Sequence, residues 1–162
     1  MTTEKSLIDS ALRGWKFNVE RAEKLFEGLS PAQLEQEVAP GKNRLIYLWG
    51  HLAAVNDRLL PLLGIGERLH PEFDGMFISS PDKSVPLAVS AQSLKTAWHE
   101  INQKLWEGFS KFSDSDWAQR HTGVSEQDFE REPHRNRFGV LLGRTAHLSY
   151  HLGQAALARP EG

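Results

Sequence analysis

The sequence predicts an all-α fold, a four-helix bundle, on two observations. Four long segments place apolar residues at three- and four-residue steps, the spacing of one helical face. Alternation with a period of two, the mark of a half-buried strand, is confined to a weak stretch near Phe77 and Ile78. Long amphipathic segments with no credible sheet bury their stripes against one another, which a bundle achieves.

The first segment runs from about residue 5 to residue 28. Leu7, Ile8, Ala11, Trp15, Val19, Ala22, Leu25 and Phe26 form its stripe, and Gly28 ends it. Ser30-Pro31 reads as an N-cap followed by a first-turn proline. It opens a short turn through Leu34, because Pro40-Gly41 breaks the pattern. The second segment spans about residues 43–63, with Asn43 as its cap and Leu45, Leu48, Leu52, Val55 and Leu59 as its stripe. Pro61 sits near its end, where it kinks or terminates the last turn.

Periodicity fails from Gly64 to about Ser90, where Pro71, Pro81 and Pro86 join Gly64, Gly66 and Gly75 in a loop. A connector of this length is either a lid or a crossover, and a crossover lets two consecutive bundle helices run parallel. The third segment covers about residues 90–112, with Leu94, Trp98, Ile101, Leu105, Phe109 and Phe112 in its stripe. Ser113 to Trp117 starts another short turn, and the polar stretch from Gln119 to Asn136 reads as an excursion at the bundle end. The fourth segment covers about residues 138–159, with Leu141, Leu142, Thr145, Leu148, Leu152, Ala155 and Ala156 on its apolar side, and Pro160 stops it.

Length and composition bound the function. The 162 residues suit one domain over residues 1–162. The net charge is −2 and no Lys/Arg run occurs, so a nucleic-acid partner has little electrostatic support. Cysteine is absent, which excludes a disulfide scaffold, a thiolate metal site and a cysteine nucleophile. The first 16 residues lack the apolar core of a signal peptide, and no apolar run approaches a membrane span. The expectation is a cytoplasmic protein with no membrane partner.

The chemistry concentrates in the fourth segment. His147 and His151 are four residues apart, so on a helix their rings sit one turn apart on the same face. Two imidazoles so placed chelate a Zn²⁺-like ion at about 2.0–2.1 Å. Such pairs also arise by chance, and Leu148 stands where a zincin would carry its glutamate, which disfavours that metalloprotease chemistry. His51 lies between Leu48 and Leu52, on or next to the core-facing stripe of the second segment. A lone histidine there is commonly a hydrogen-bonded core residue. Three imidazoles in one bundle interior, however, are costly to bury without partners, and one shared metal would satisfy all three. His70, His121 and His134 fall in loops and read as solvated, while His99 beside Trp98 could face either way.

Two blocks, Ala39-Pro40-Gly41-Lys42-Asn43 leading into Leu48-Trp49-Gly50-His51-Leu52, and His147-Leu148-Ser149-Tyr150-His151-Leu152-Gly153-Gln154, resemble the DinB/YfiT-like superfamily of metalloenzymes. The resemblance implies an up-down-down-up bundle with parallel second and third helices. It also implies a metal site from one histidine of the second helix and two of the fourth, at positions corresponding to His51, His147 and His151. Homodimers are common in the family, and several branches transfer low-molecular-weight thiols.

Three protein ligands leave a coordination position open, the pattern of a catalytic site. The leading expectation is a metal-dependent enzyme that transfers a small thiol to an electrophile or carries out a related hydrolysis. The alternatives are a non-enzymatic, stress-related metal-binding bundle and a histidine-bearing bundle with no metal. Zinc and nickel lead as the ion, with iron and manganese also compatible. Asn18, Arg21, Asn56 and Gln154 are the polar candidates for orienting the ligands, and Arg144 is a candidate for attracting an anionic substrate. Trp15, Trp49, Trp98 and Tyr150 line either a pocket or ordinary core.

Overall fold

The computed structural model describes residues 2–158. Four long helices carry the fold: α1 (Thr3–Glu27), α3 (Leu45–Leu62), α5 (Ala91–Phe109) and α8 (Arg137–Leu157). Four short helices fill the connections: α2 (Pro31–Leu34), α4 (Phe73–Phe77), α6 (Asp114–Ala118) and α7 (Glu126–Arg131). No strand forms among the described residues, and the only bridges are isolated ones, Glu37 with Arg44 and Arg120 with Asn136. The weak alternation near Phe77 and Ile78 belongs to α4 and its C-cap.

Cross-helix pairs set the directions. Glu27 meets Lys95, Glu23 meets His99 and Trp15 meets Phe109, so α1 and α5 run in opposite directions. Asn56 pairs with Asn102, and Ile65 just beyond α3 lies over Gly108, so α3 and α5 run the same way. His51 faces His147, while Gly64 lies near the Arg137 guanidinium, so α3 and α8 are antiparallel. The stripes meet in one core that includes Trp15, Phe26, Trp49, Leu59, Phe77, Trp98, Leu105 and Leu141. α3 is buried on nearly every side, which its apolar sequence requires.

Helix starts follow the local chemistry. Ser30 and Gln33 form a capping box around Pro31, and Ser113 and Asp116 form another. Ser90 caps α5 and Asn136 caps α8. Pro61 falls in the last turn of α3, as expected. Asn43 is not the cap of α3; Arg44 holds that position and offers no side-chain cap. Its place is taken from afar by Asp82, whose carboxylate accepts the Arg44 backbone N–H at 2.7 Å and also binds the Arg44 guanidinium. A carboxylate at a helix N-terminus is favoured by the helix dipole. Pro160 lies outside the described residues.

The connector between α3 and α5 is a tethered crossover, and α4 lies within it. Asp57, fully buried on α3, accepts the backbone N–H groups of Leu69 and His70 and the Arg68 guanidinium. Asp74 joins Arg58 to Arg68, and the Tyr47 hydroxyl donates to the Ser80 carbonyl. These bonds hold the connector down over α3. The polar stretch before α8 likewise contains one short helix, α7.

Candidate metal centre

His51 enters the bundle from the second turn of α3, and His147 and His151 from successive turns of α8. Their ligand atoms all lie within 4.8 Å of one another. The Nε2 atom of His147 is 3.3 Å from Nε2 of His51 and 3.2 Å from Nε2 of His151. Nitrogens bound at about 2.0–2.1 Å to one tetrahedral ion stand roughly 3.3–3.4 Å apart. The observed spacing therefore fits a shared ion.

Hydrogen bonding on the outer sides of the rings supports the same orientation. Nδ1 of His51 lies 2.8 Å from the Phe77 carbonyl oxygen, which can only accept, so that nitrogen carries the proton. Nδ1 of His151 lies 2.7 Å from Oε1 of Gln154 and donates to it. Both rings then aim an Nε2 lone pair at His147. One Nε2–H on His147 can satisfy only one of them, so the trio has an unmet demand for a cation. A proton on His147 or His51 does not meet it at neutral pH. Burial, reinforced by His151, His51 and Arg144, pushes His147 down to about 4, and burial likewise lowers His51. Three imidazoles with converging lone pairs are the donor set of a divalent metal.

Local sequence explains how the rings are aimed. A Cβ on Gly50 would sit 2.3 Å from the Phe77 ring, so the glycine beside His51 is what lets α4 close onto α3. That contact brings the Phe77 carbonyl to His51. A cavity of about 420 Å³ reaches Gln154, the hydrogen-bond partner of His151. Ala39, Gly41, Lys42 and Asn43 line one side of it, and Leu48 and Gln154 line the other. Leu48 and Gln154 are each one turn from a histidine of the cluster.

The other sequence candidates go elsewhere. Of the polar residues proposed to orient the ligands, Gln154 alone is bonded to one. Asn56 is buried against Asn102, Asn18 bonds back to the Gly14 carbonyl, and Arg21 lies over the Phe17 ring. Trp15, Trp49 and Trp98 are core, whereas Tyr150 is 64% exposed. His99 sits on the surface between Glu23 and Glu27, and His70 between Glu72 and Glu100. The Phe77 carbonyl was not legible in the sequence, because a backbone acceptor has no residue signature and its helix lies in an aperiodic stretch.

A family model for the DinB superfamily matches residues 15–155. No curated protein matches the chain. The match covers most of the sequence and both halves of the histidine cluster, and the chain belongs to the DinB superfamily.

Proposed function

We propose that this member of the DinB superfamily is a metal-dependent enzyme, its ion held by Nε2 of His51, His147 and His151. The observation that carries the reading is the convergence of three imidazoles, His51 and His151 braced from outside, at a spacing of 3.2–3.3 Å around His147. Zinc and nickel suit three imidazoles best, and iron or manganese also fit the set. The bound ion would supply a Lewis acid that lowers the pKa of a thiol or water at its open position.

The chain's own residues would do the rest. The Phe77 carbonyl and the Gln154 amide hold the His51 and His151 rings in the Nδ1–H tautomer. The cavity beside Gln154, with Lys42 in its wall, offers a path for a small molecule. Leu48 and Leu157 give that path an apolar side. The reaction proposed is transfer of a low-molecular-weight thiol. Its S–H proton is lost to solvent, a carbon–sulfur bond forms at the electrophile, and the displaced group leaves. A hydrolysis replaces the thiol with water. No thiol of the protein competes, since the chain has no cysteine.

The test is turnover of monochlorobimane with glutathione, bacillithiol or mycothiol by protein loaded with one zinc or nickel ion. A metal-dependent rate with one of these thiols, lost in His147→Ala, is expected. Stoichiometric metal without turnover of any thiol or ester would leave the non-enzymatic metal-binding protein as the better reading. We also propose that the chain acts in the cytoplasm as a homodimer. Exposed apolar side chains along α8, Leu142, Tyr150 and Leu157, support an α8-centred contact between copies. Sedimentation of the wild type beside Leu142→Glu checks this, with a dimer expected for the first and a monomer for the second. Among the described residues, no helix is long and apolar enough to cross a membrane.

A further inference from the structure

Arg144 is the charged side chain near the histidines that the bundle itself does not use. It precedes His147 by three residues and His151 by seven, so the three share one face of α8. The side chain is half-buried. Among the described residues it has neither hydrogen bond nor ion pair, and its guanidinium feels only burial and the like charge of Arg58. By contrast Arg44, Arg58 and Arg68 each hold a carboxylate.

Arg58 deepens the imbalance. It follows His51 by seven residues on α3, and α3 and α8 run antiparallel. Arg58 and Arg144 therefore occupy the layer next to the histidines, one from each helix. Arg58 shares its carboxylate, Asp74, with Arg68. The positive charge of Arg144 reaches both His51 and His147 and has no counter-ion among the described residues. A half-buried cation without a partner is unfavourable unless a ligand completes it. The planar guanidinium fork matches carboxylate and phosphate groups two bonds at a time.

We propose that Arg144 is the anion-recognition residue of this site, binding a carboxylate or phosphate group of the substrate so that the reacting end meets the three histidines. The proposal rests on the reading of those histidines as a metal site and adds the substrate's charge to it. It also accounts for the placement of Arg144 on the histidine face of α8, where a solvent-directed role would favour the outer face.

Cobalt(II)-loaded protein tests it through the thiolate-to-cobalt absorption band, which reports binding without turnover. Titration compares 3-mercaptopropionate with its uncharged amide. The wild type is expected to bind the acid about tenfold more tightly than the amide, the scale of one hydrogen-bonded ion contact. Arg144→Gln should bring the ratio near one with the amide unaffected, and Arg144→Lys should keep part of it. An unchanged ratio in Arg144→Gln would overturn the proposal. If cobalt fails to bind stoichiometrically, the metal reading falls separately, and Arg144 is then judged on the metal-free protein. There inorganic phosphate should raise the melting temperature of the wild type more than that of Arg144→Gln, and equal shifts would overturn the proposal.

Discussion

At the scale of single residues, the candidate site depends on which ring nitrogen carries each proton. The Phe77 carbonyl and Gln154 decide this for His51 and His151. Replacing Gln154 with Leu should weaken metal binding by roughly 10–100-fold while the helix persists, the usual effect of losing a ligand's outer partner. Competition with a chromophoric chelator measures it. The metal-free protein has its own pH signature. His147 titrates at about 4 when folded, against its ordinary 6.5. Between those values the unfolded chain takes up a proton that the folded chain refuses. Stability from this source is therefore complete above about 6.5 and declines as the pH falls toward 4. Urea midpoints of the chelator-treated wild type should fall over that interval, and His147→Gln should flatten the fall. The histidines themselves were legible, His147 and His151 by helical spacing and His51 by its place in a stripe. Asn18, Arg21 and Asn56 show the limit: sequence gives a polar residue's position along its helix but not which neighbouring helix it faces.

At the scale of elements, α3 and the crossover that returns over it form the working unit. The sequence shows the crossover's length, but its Gly and Pro residues hide the tethers that make it ordered. Asp57 is the clearest of these. Its carboxylate is fully buried and takes Arg68 and two backbone N–H groups. Asp57→Ala should cost on the order of 3 kcal/mol, because it leaves two buried amides and the Arg68 Nε–H without their acceptor, although Asp74 still holds the rest of that guanidinium. Denaturant unfolding checks it, with Asp57→Asn expected between variant and wild type. Gly50 ties the same crossover to the site. A methyl group there meets the Phe77 ring at 2.3 Å. Gly50→Ala should therefore lower both stability and metal affinity, whereas Gly143→Ala, with open space around it, should lower neither. The misassigned cap of α3 has the same origin. Asn43 suits a cap by residue type, but Asp82 supplies the acceptor from 38 positions away, a distance that local pattern does not span.

At the scale of the whole molecule, the bundle was the most legible feature, since four stripes require four helices to cover one another. What the stripes leave open is how the histidine-bearing faces of α3 and α8 coincide. The antiparallel contact of those helices joins His51 to residues 96 positions further on. An ion bridging that contact would link two long helices, so metal occupancy and global stability should rise together. At a free metal concentration about 100 times its dissociation constant the gain is about 2.7 kcal/mol. For a chain of this length that corresponds to roughly 5–10 °C in melting temperature. The most direct test of the account is elemental analysis of untagged protein, wild type beside His147→Ala, with the melting temperature of each. One divalent ion per wild-type chain is expected, with little or none in the variant, and a fall in melting temperature that chelation of the wild type reproduces. A wild type without stoichiometric metal, and a variant that matches it in both metal content and melting temperature, would contradict it.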